Sequence, residues 1–175
     1  FTLGQPFAPK TMGLLAPSTD VYATATDVTV ASNIWVDPAQ RETLKFDDWK
    51  TAIHHYRFAT DGPAYVGSAA VNGSVTGQFA FGQVGDRLGV IASATTPWGM
   101  DPSSAITLHL FDTSTALREV GKVDDIGDGA FVRGVRFTPK RVLVSTGTNE
   151  PDGAQTVTLQ AVDVSDATAP RKAGK

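Results

Sequence analysis

The chain has 175 residues, of which 41% are hydrophobic, and its formal net charge is -3. This apolar content is enough for a buried core and excludes a disordered chain. The weak charge, without a basic patch, argues against a nucleic-acid partner. The absence of cysteine excludes a disulfide scaffold and thiol-ligated metals. No apolar run reaches the about 18 residues of a membrane span, so no span is predicted.

The predicted elements are short strands rich in Val, Thr, Ile, Phe and Tyr. Residues 1–20 contain several prolines and are predicted to form an extended entry segment. Three units follow, at residues 21–71, 72–123 and 124–175. Each unit has four predicted strands, which in chain order are Val21–Ala25, Val28–Trp35, Thr51–Ala59, Ala64–Val71; Phe79–Val84, Leu88–Ala92, Ala105–Phe111, Leu117–Val123; Ala130–Phe137, Arg141–Ser145, Thr156–Val164 and Arg171 to the end.

The connections between these strands follow one pattern. Short turns such as Gly85-Asp86 and Thr138-Pro139-Lys140 join the first two strands of the second and third units. A longer connection separates the second and third strands of every unit, at Asp37–Lys50, Ser93–Ser104 and Gly147–Gly153. This shared position of the longer connection indicates a true structural repeat.

The three units also share a sequence motif, in which an apolar strand is followed by a turn and a short strand with a glycine. The copies are Ile53–Gly67, Ile106–Lys122 and Thr158–Lys175. Aligning the strand ends places two sets of residues in register: Phe58, Phe111 and Val162, and then Gly67, Gly121 and Gly174. A repeat of roughly 50 residues with four strands is typical of propeller blades. The predicted fold class is therefore all-β, a β-propeller of four-stranded antiparallel blades.

The number of units indicates whether these residues can close a propeller ring. A propeller closes its ring with about 4–8 blades, whereas this sequence supplies about three. We therefore expect a partial ring: the residues are a fragment of a larger propeller, or another chain completes the ring.

Several segments resemble those of a known family. The similar segments lie in Val75–Thr96 and Phe131–Lys175. They include Gln78-Phe79-Ala80, Gly85-Asp86-Arg87-Leu88, Val135-Arg136-Phe137 and Val162-Asp163-Val164-Ser165-Asp166. On these residues the chain resembles the bacterial secreted β-propeller family, whose members carry a C-terminal propeller distantly related to WD repeats. The resemblance implies a propeller fold and a secreted or cell-surface location. The resemblance does not assign a catalytic role to any residue of this chain.

The three histidines do not form a predicted site. His54 and His55 are adjacent on a strand and should point to opposite faces, so they cannot both ligate one metal in a simple way. His109 lies in the equivalent third strand of the next unit. We interpret this equivalence as inheritance of the repeat.

Acidic residues suggest one candidate cation site. Asp124, Asp125 and Asp128 occur in a Gly-containing turn, and several carboxylate oxygens would suit calcium. The full calcium-loop spacing with its terminal Glu is absent, and Asp and Gly are ordinary turn residues. No cofactor is therefore expected, with calcium at this turn as the alternative.

Two tryptophans are the candidate binding residues. Trp49 and Trp98 both lie in the longer connections between second and third strands, which would place them on the same rim of a propeller. Aromatic side chains on a rim can anchor a protein or sugar partner. The alternative, that they cap the ends of the blade cores, is the more common role.

The predicted function follows from the repeat and from the missing catalytic motifs. The sequence has neither a Gly-x-Ser-x-Gly elbow nor a phosphate-binding Gly-x-x-x-x-Gly-Lys loop. We expect a non-enzymatic extracellular or cell-surface module for protein interaction or structural assembly, whose partner is a protein or the remainder of the propeller. The alternatives are a propeller hydrolase or lyase, with a central-channel site completed by further blades, and a subunit of a multi-chain assembly.

Overall fold

The computed structural model describes residues 10–34, 39, 43, 48–60, 62–75, 77–93, 95–96, 99–100, 105–127, 131–149 and 153–174. Its strands, numbered in chain order, are β1 Ser18–Ala23, β2 Asp27–Asn33, β3 Lys50–Ala59, β4 Gly62–Asn72, β5 Phe81–Val84, β6 Arg87–Ser93, β7 Thr95–Thr96, β8 Gly99–Met100, β9 Ile106–Asp112, β10 Arg118–Val123, β11 Phe131–Phe137, β12 Arg141–Asn149, β13 Gln155–Asp163 and β14 Arg171–Gly174. A 3-10 turn, Gln78–Ala80, precedes β5.

The strands form three four-stranded antiparallel sheets, which confirms the predicted fold class. Their orders are β1-β2-β3-β4, β5-β6-β9-β10 and β11-β12-β13-β14, and we call these sheets blades 1, 2 and 3. Strands β7 and β8 form a small separate ladder in the connection between β6 and β9. The first strands of the three blades lie close together, since β1 and β11 both contact the 3-10 turn before β5.

Two details of the predicted organisation differ from the structure. The first strand begins at Ser18, within the segment predicted as an extended entry. The expected connection Gly147–Gly153 is too long, because β12 and β13 pair without a break from Arg141↔Asp163 to Asn149↔Gln155. In blade 3 the longer connection is residues 164–170, between the third and fourth strands, so the common loop position holds only for blades 1 and 2.

The second and third strands of each blade pair in the same way, and we number their residue pairs as rungs. Rung 1 is Asp27↔Arg57 in blade 1, Arg87↔Asp112 in blade 2 and Arg141↔Asp163 in blade 3. Rung 2 is Val28↔Tyr56, Leu88↔Phe111 and Val142↔Val162. Tyr56, rather than Phe58, is therefore equivalent to Phe111 and Val162. The predicted register was wrong because β3 and β4 pair beyond rung 1, through Phe58↔Pro63 and Ala59↔Gly62.

Each blade has two faces, and neighbouring blades pack face to face. Tyr22 of blade 1 stacks on Phe81 of blade 2, with ring centroids 6.0 Å apart. Gly82 and Gly89 of blade 2 lie against the ring of Phe137 in blade 3. We call the face toward the following blade the leading face and the opposite one the trailing face. Because side chains alternate along a strand, odd rungs lie on the leading face and even rungs on the trailing face.

The core lies between the blades. Blade 2 is covered on both sides, so both faces of its third strand are buried. The fully buried side chains come from all three blades: Ile53, Val71, Val90, Ile91, Ile106, Leu108, Leu110, Phe111, Ile126, Val142, Val144 and Val162. The apolar core that stabilises each blade is therefore shared with its neighbours.

The repeated glycines have a common structural role. Each fourth strand contains a register shift beside rung 3, where Gly67 pairs with His55, Gly121 with Leu110 and Gly174 with Ala161. A Cβ atom at Gly67 would lie 3.0 Å from the backbone nitrogen of Leu117 in blade 2. A Cβ atom at Gly121 would lie 2.9 Å from Cδ of Pro170 in blade 3 and closer still to the carbonyl oxygen of Ala167. At Gly67 and Gly121 glycine is required because the following blade approaches the backbone, whereas a Cβ at Gly174 would meet nothing within 4 Å.

The substitution Gly121→Ala tests this close approach. The added methyl group must displace the backbone near Ala167, and we expect a loss of about 1–3 kcal/mol in the free energy of unfolding. Urea denaturation followed by circular dichroism measures it. Gly134→Ala is the matched control, because a Cβ at Gly134 meets nothing within 4 Å. Equal effects of the two substitutions would contradict the proposed blade contact.

Candidate functional site

The candidate site is a cleft between blades 1 and 2, at the end of the blades where rung 1 lies. Its volume is about 180 Å³. Polar side chains of both blades line it together with a few apolar ones: Tyr22, Thr24, Asp27, Thr29, His55, Arg57, Gln83, Asp86, Arg87, Leu88 and Thr113. The cleft thus lies where the polar end of the leading face of blade 1 meets blade 2.

Three side chains of blade 1 form a connected polar row at the base of the cleft. Asp27 and Thr29 alternate along β2, and His55 lies opposite Thr29 on β3, so all three share the leading face. Nδ1 of His55 lies 2.8 Å from the hydroxyl oxygen of Thr29. Nε2 of His55 lies 3.3 Å from Oδ1 of Asp27. The imidazole is therefore held between a hydroxyl group and a carboxylate.

Burial controls the charge state of this row. Burial of the imidazole lowers the pKa of His55, and the attraction of Asp27 only partly opposes this effect. Burial by itself would raise the pKa of Asp27. Hydrogen bonds from Thr26 and Arg57, with the positive charge of Arg57, outweigh it and hold the pKa of Asp27 below its ordinary value. At neutral pH the row therefore contains a neutral imidazole and a carboxylate.

Arg57 joins this row to blade 2. Its Nε donates to Oδ1 of Asp27 at 3.2 Å. Its two terminal nitrogens donate to backbone carbonyl oxygens in the turn after β9, to Thr113 at 2.8 Å and to Ser114 at 3.3 Å. A guanidinium group can make all three bonds because its donors are fixed in one plane. Arg57 therefore acts as a clamp across the blade junction.

The charges of rung 1 are reversed in the other two blades. There the third strand ends in an aspartate, and Arg87 lies 3.8 Å from Asp112, whereas Arg141 lies 2.6 Å from Asp163. The backbone N–H groups of Ser114 and Ser165 donate to these aspartates, which lowers the pKa of Asp112 and of Asp163. In blades 2 and 3 the aspartate thus accepts a hydrogen bond within the turn that follows it. In blade 1 the arginine at the same position donates to the backbone of blade 2.

The row of Thr29, His55 and Asp27 has the order of a hydroxyl, an imidazole and a carboxylate, as in nucleophilic catalysis. However, Thr29 is only 1% exposed, so its hydroxyl group cannot meet a substrate without a change in the blade packing. The geometry fits a structural latch. Sequence reasoning missed this cleft because its residues come from different strands; the signal was the Asp27–Arg57 pairing, which becomes visible only when the strand register is known.

The predicted binding tryptophans lie elsewhere. Trp49 precedes β3 at the other end of the blade from the cleft, and it is 7% exposed. Its indole N–H donates to the hydroxyl oxygen of Ser74 at 2.9 Å. This is the arrangement expected of a residue that caps a blade core. Trp98 lies outside the described residues, and the binding role of the pair stays a prediction.

The predicted cation turn is described only in part. Asp124 lies 3.0 Å from Nζ of Lys122 and accepts a hydrogen bond from Thr107. Asp125 has a positive φ of 56°, and Asp128 lies outside the described residues. Among the described residues no group of three or more His, Cys, Asp or Glu side chains could hold a metal ion. Calcium at this turn stays a prediction.

The other two histidines occupy equivalent positions. His54 and His109 lie in rung 4 of blades 1 and 2, where blade 3 has Gln160. As expected from strand alternation, His54 and His55 lie on opposite faces. Nδ1 of His109 lies 2.7 Å from a carboxylate oxygen of Glu119. The two rung-4 histidines are thus separated by the blade packing and form no common site.

Comparison with known proteins gives one family. A family model described as Beta propeller domain matches residues 2–175, which is nearly the whole chain. A search of curated proteins found no match. In the described part of the chain, no helix is long and apolar enough to cross a membrane.

The buried imidazole predicts a pH dependence of stability. Since the pKa of His55 is lowered on folding, the unfolded chain binds more protons below about pH 6.5. We therefore expect the free energy of unfolding to fall between about pH 7 and pH 5, and His55→Gln to reduce this fall. Urea titrations across that range measure the slope. His54→Gln, on the opposite and less buried face, is the control and should reduce the slope less.

The clamp is tested by Arg57→Lys. A lysine keeps the charge but cannot reach Asp27 and two carbonyl groups at once, so we expect a loss of about 1–2 kcal/mol in the free energy of unfolding. Chemical denaturation measures it. The control is Arg171→Lys, since Arg171 is 78% exposed and pairs with Asp163 at 3.5 Å; its effect should stay within about 0.5 kcal/mol. A neutral result for Arg57→Lys would refute the clamp.

Proposed function

The chain belongs to the β-propeller domain family, and on that premise we propose that it is a non-enzymatic module for protein interaction and assembly. Its working surfaces are the two end faces of the three-blade arc: the leading face of blade 3 and the trailing face of blade 1. We place the module outside the cell, in solution or at the cell surface. That location is supported by the resemblance of the sequence to secreted propellers.

The main support for the proposed interaction function is the exposed leading face of blade 3. In rung 5, Ile53 of blade 1 and Leu108 of blade 2 are 0% exposed, whereas the equivalent Leu159 of blade 3 is 55% exposed. In rung 7, Thr51 and Ile106 are likewise 0% exposed. Blade 3 therefore presents core-type residues where blades 1 and 2 meet their neighbours.

The exposed part of this face includes more than one residue. Val157, in rung 7 of blade 3, is 56% exposed beside Leu159 on the same strand. Covering an exposed Leu or Val fully contributes about 1.5–3 kcal/mol for each side chain. Contiguous apolar surface of this kind marks an interaction site on a folded protein.

The trailing face of blade 1 is the second apolar surface. Val21 of β1, Phe58 of β3 and Tyr65 of β4 are 51%, 52% and 48% exposed. Tyr65 also packs against Tyr56, with ring centroids 5.2 Å apart. Aromatic side chains that are already fixed by neighbours lose little freedom on binding and make good anchors.

A propeller hydrolase or lyase is the alternative function. The nearest arrangement to a catalytic group in the described residues is the Thr29, His55 and Asp27 row, and its hydroxyl group is buried. This row stabilises a blade junction, and it does not favour the alternative over assembly.

Single-cysteine labelling tests the proposed function. The chain has no cysteine, so Leu159→Cys provides one reactive thiol on the leading face of blade 3. We expect a membrane-impermeant maleimide to react quickly with the dilute purified protein. The reaction should be much slower when the protein is outside its producing cell, where partners cover the face.

The matched control is Thr115→Cys, at an exposed position in the turn after β9. It should react at the same rate in both settings. Equal and fast reaction of Cys at 159 in both settings would refute a covered end face, and a Cys at 115 that reacts only after the cells are lysed would refute the extracellular location.

A further inference from the structure

We propose that the cleft between blades 1 and 2 binds one sugar unit, an uncharged ring that carries several hydroxyl groups. The cleft lies at a junction within the chain, so this site is separate from the end faces and does not depend on the assembly function. Its base is the polar row of Thr29, His55 and Asp27, and blade 2 supplies the opposite wall.

The first argument is an unsatisfied nitrogen at the base of the cleft. The side chain of His55 is 4% exposed, and its Nε2 points toward Asp27, at the end of the face where the cleft lies. The carboxylate favours the tautomer with the proton on Nε2, so this nitrogen is a donor. It has no hydrogen-bond partner among the described residues, and Oδ1 of Asp27 already accepts from Arg57. Since buried polar atoms are nearly always satisfied in folded proteins, Nε2 leaves a hydrogen bond for a ligand to make.

The second argument is the balance of charge in the lining. Two aspartates, Asp27 and Asp86, and two arginines, Arg57 and Arg87, line the cleft. Because the imidazole of His55 is neutral at pH 7, their formal charges cancel. An anion would meet the two aspartates and a cation the two arginines, and like charges in contact are unfavourable. The lining therefore favours an uncharged ligand.

The third argument is the arrangement of donors and acceptors. Each blade contributes one arginine beside one aspartate. Nε of Arg57 donates to Asp27 at 3.2 Å in blade 1, and Nη1 of Arg87 donates to Asp86 at 3.1 Å in blade 2. A guanidinium group only donates and a carboxylate only accepts, whereas a hydroxyl group does both. Hydroxyl groups on a ring can therefore bond to both members of such a pair, and these bonds are strengthened by the charges.

The size of the cleft suits one ring. Its volume of about 180 Å³ equals that of about six water molecules in the liquid. This is more room than a single bridging water needs. Tyr22 and Leu88 provide apolar surface for the C–H groups of the ring. Tyr22 is already fixed by stacking on Phe81, so it loses little freedom when a ligand binds.

An NMR titration of the isotope-labelled protein is the first test. The sugar probes are D-glucose, D-galactose, D-mannose and N-acetyl-D-glucosamine, and the charged probes are acetate and glycine. We expect at least one sugar to shift the amide signals of the cleft in a saturable way, with a Kd on the order of 1 mM. A charged probe that binds as tightly as any sugar would overturn the choice of ligand. If no sugar causes a saturable shift, the site itself is overturned.

The side-chain nitrogen signals of the histidines locate the bound sugar. The Nε2 signal of His55 should shift, because this nitrogen gains a hydrogen bond. His109 is an internal control, since its Nε2 is also buried and lacks a hydrogen-bond partner among the described residues, but it does not line the cleft. The measurement needs no substitution, so it is independent of effects on folding. Equal shifts of the two signals, or no shift of His55, would contradict binding in the cleft.

Gln83→Ala tests the wall formed by blade 2. Gln83 is an exposed residue of β5 that lines the cleft, so we expect the variant to fold and to bind the sugar about fivefold more weakly, through loss of one hydrogen bond. The matched control is Gln155→Ala, at an exposed glutamine of β13 in blade 3, which should leave the Kd unchanged. Circular dichroism checks the fold of both variants. The same Kd for the two variants would place the ligand outside the cleft and overturn the proposal.

Discussion

Every part of this structure depends on one constraint: a four-stranded sheet with two apolar faces must be covered on both sides. Blade 2 meets it fully, since Phe111 on its trailing face and Leu108 on its leading face are both buried. Blades 1 and 3 meet it on one face each. The hydrogen bonds of a blade are satisfied within its own sheet, so the side chains between sheets decide how the blades are arranged. A blade is thus a unit of secondary structure whose tertiary stability comes from its neighbours.

The same constraint explains where small residues are needed. Sheets normally pack about 10 Å apart, but the turns before β10 and β14 come closer to the preceding blade. Gly67 and Gly121 allow this approach, because a side chain there would collide with Leu117 or with Ala167. On blade 2, Gly82 and Gly89 make room for the ring of Phe137 in the same way. Large and small residues therefore alternate across the junctions, which fixes the distance between blades.

Much of the fold could be predicted from the sequence, because a repeat of short apolar strands constrains the architecture strongly. The three blades and the repeated glycines were found in this way. The register of β3 was not, since a hairpin that is two pairs longer moves Phe58 beyond the equivalent of Phe111. The polar cleft also escaped prediction, because Asp27 and His55 come together only through strand pairing. Residues that act through cross-strand contacts leave little local signal in a single sequence.

Because the charges of rung 1 are reversed between the blades, the blade junctions make different polar contacts. Arg57 can donate to the carbonyl groups of Thr113 and Ser114 because blade 2 has a turn between its third and fourth strands. Asp163, at the same position in blade 3, accepts from its own turn at Ser165 and needs no donor or acceptor from a following blade.

Blade 2 uses the same arrangement as blade 3. Its Asp112 accepts from the backbone N–H of Ser114 and lies 3.8 Å from Arg87, although blade 3 follows it directly in the chain. A self-contained aspartate at rung 1 is therefore compatible with a packed junction. The arginine clamp adds polar contacts at the junction of blades 1 and 2, where the turn after β9 offers its carbonyl groups to Arg57.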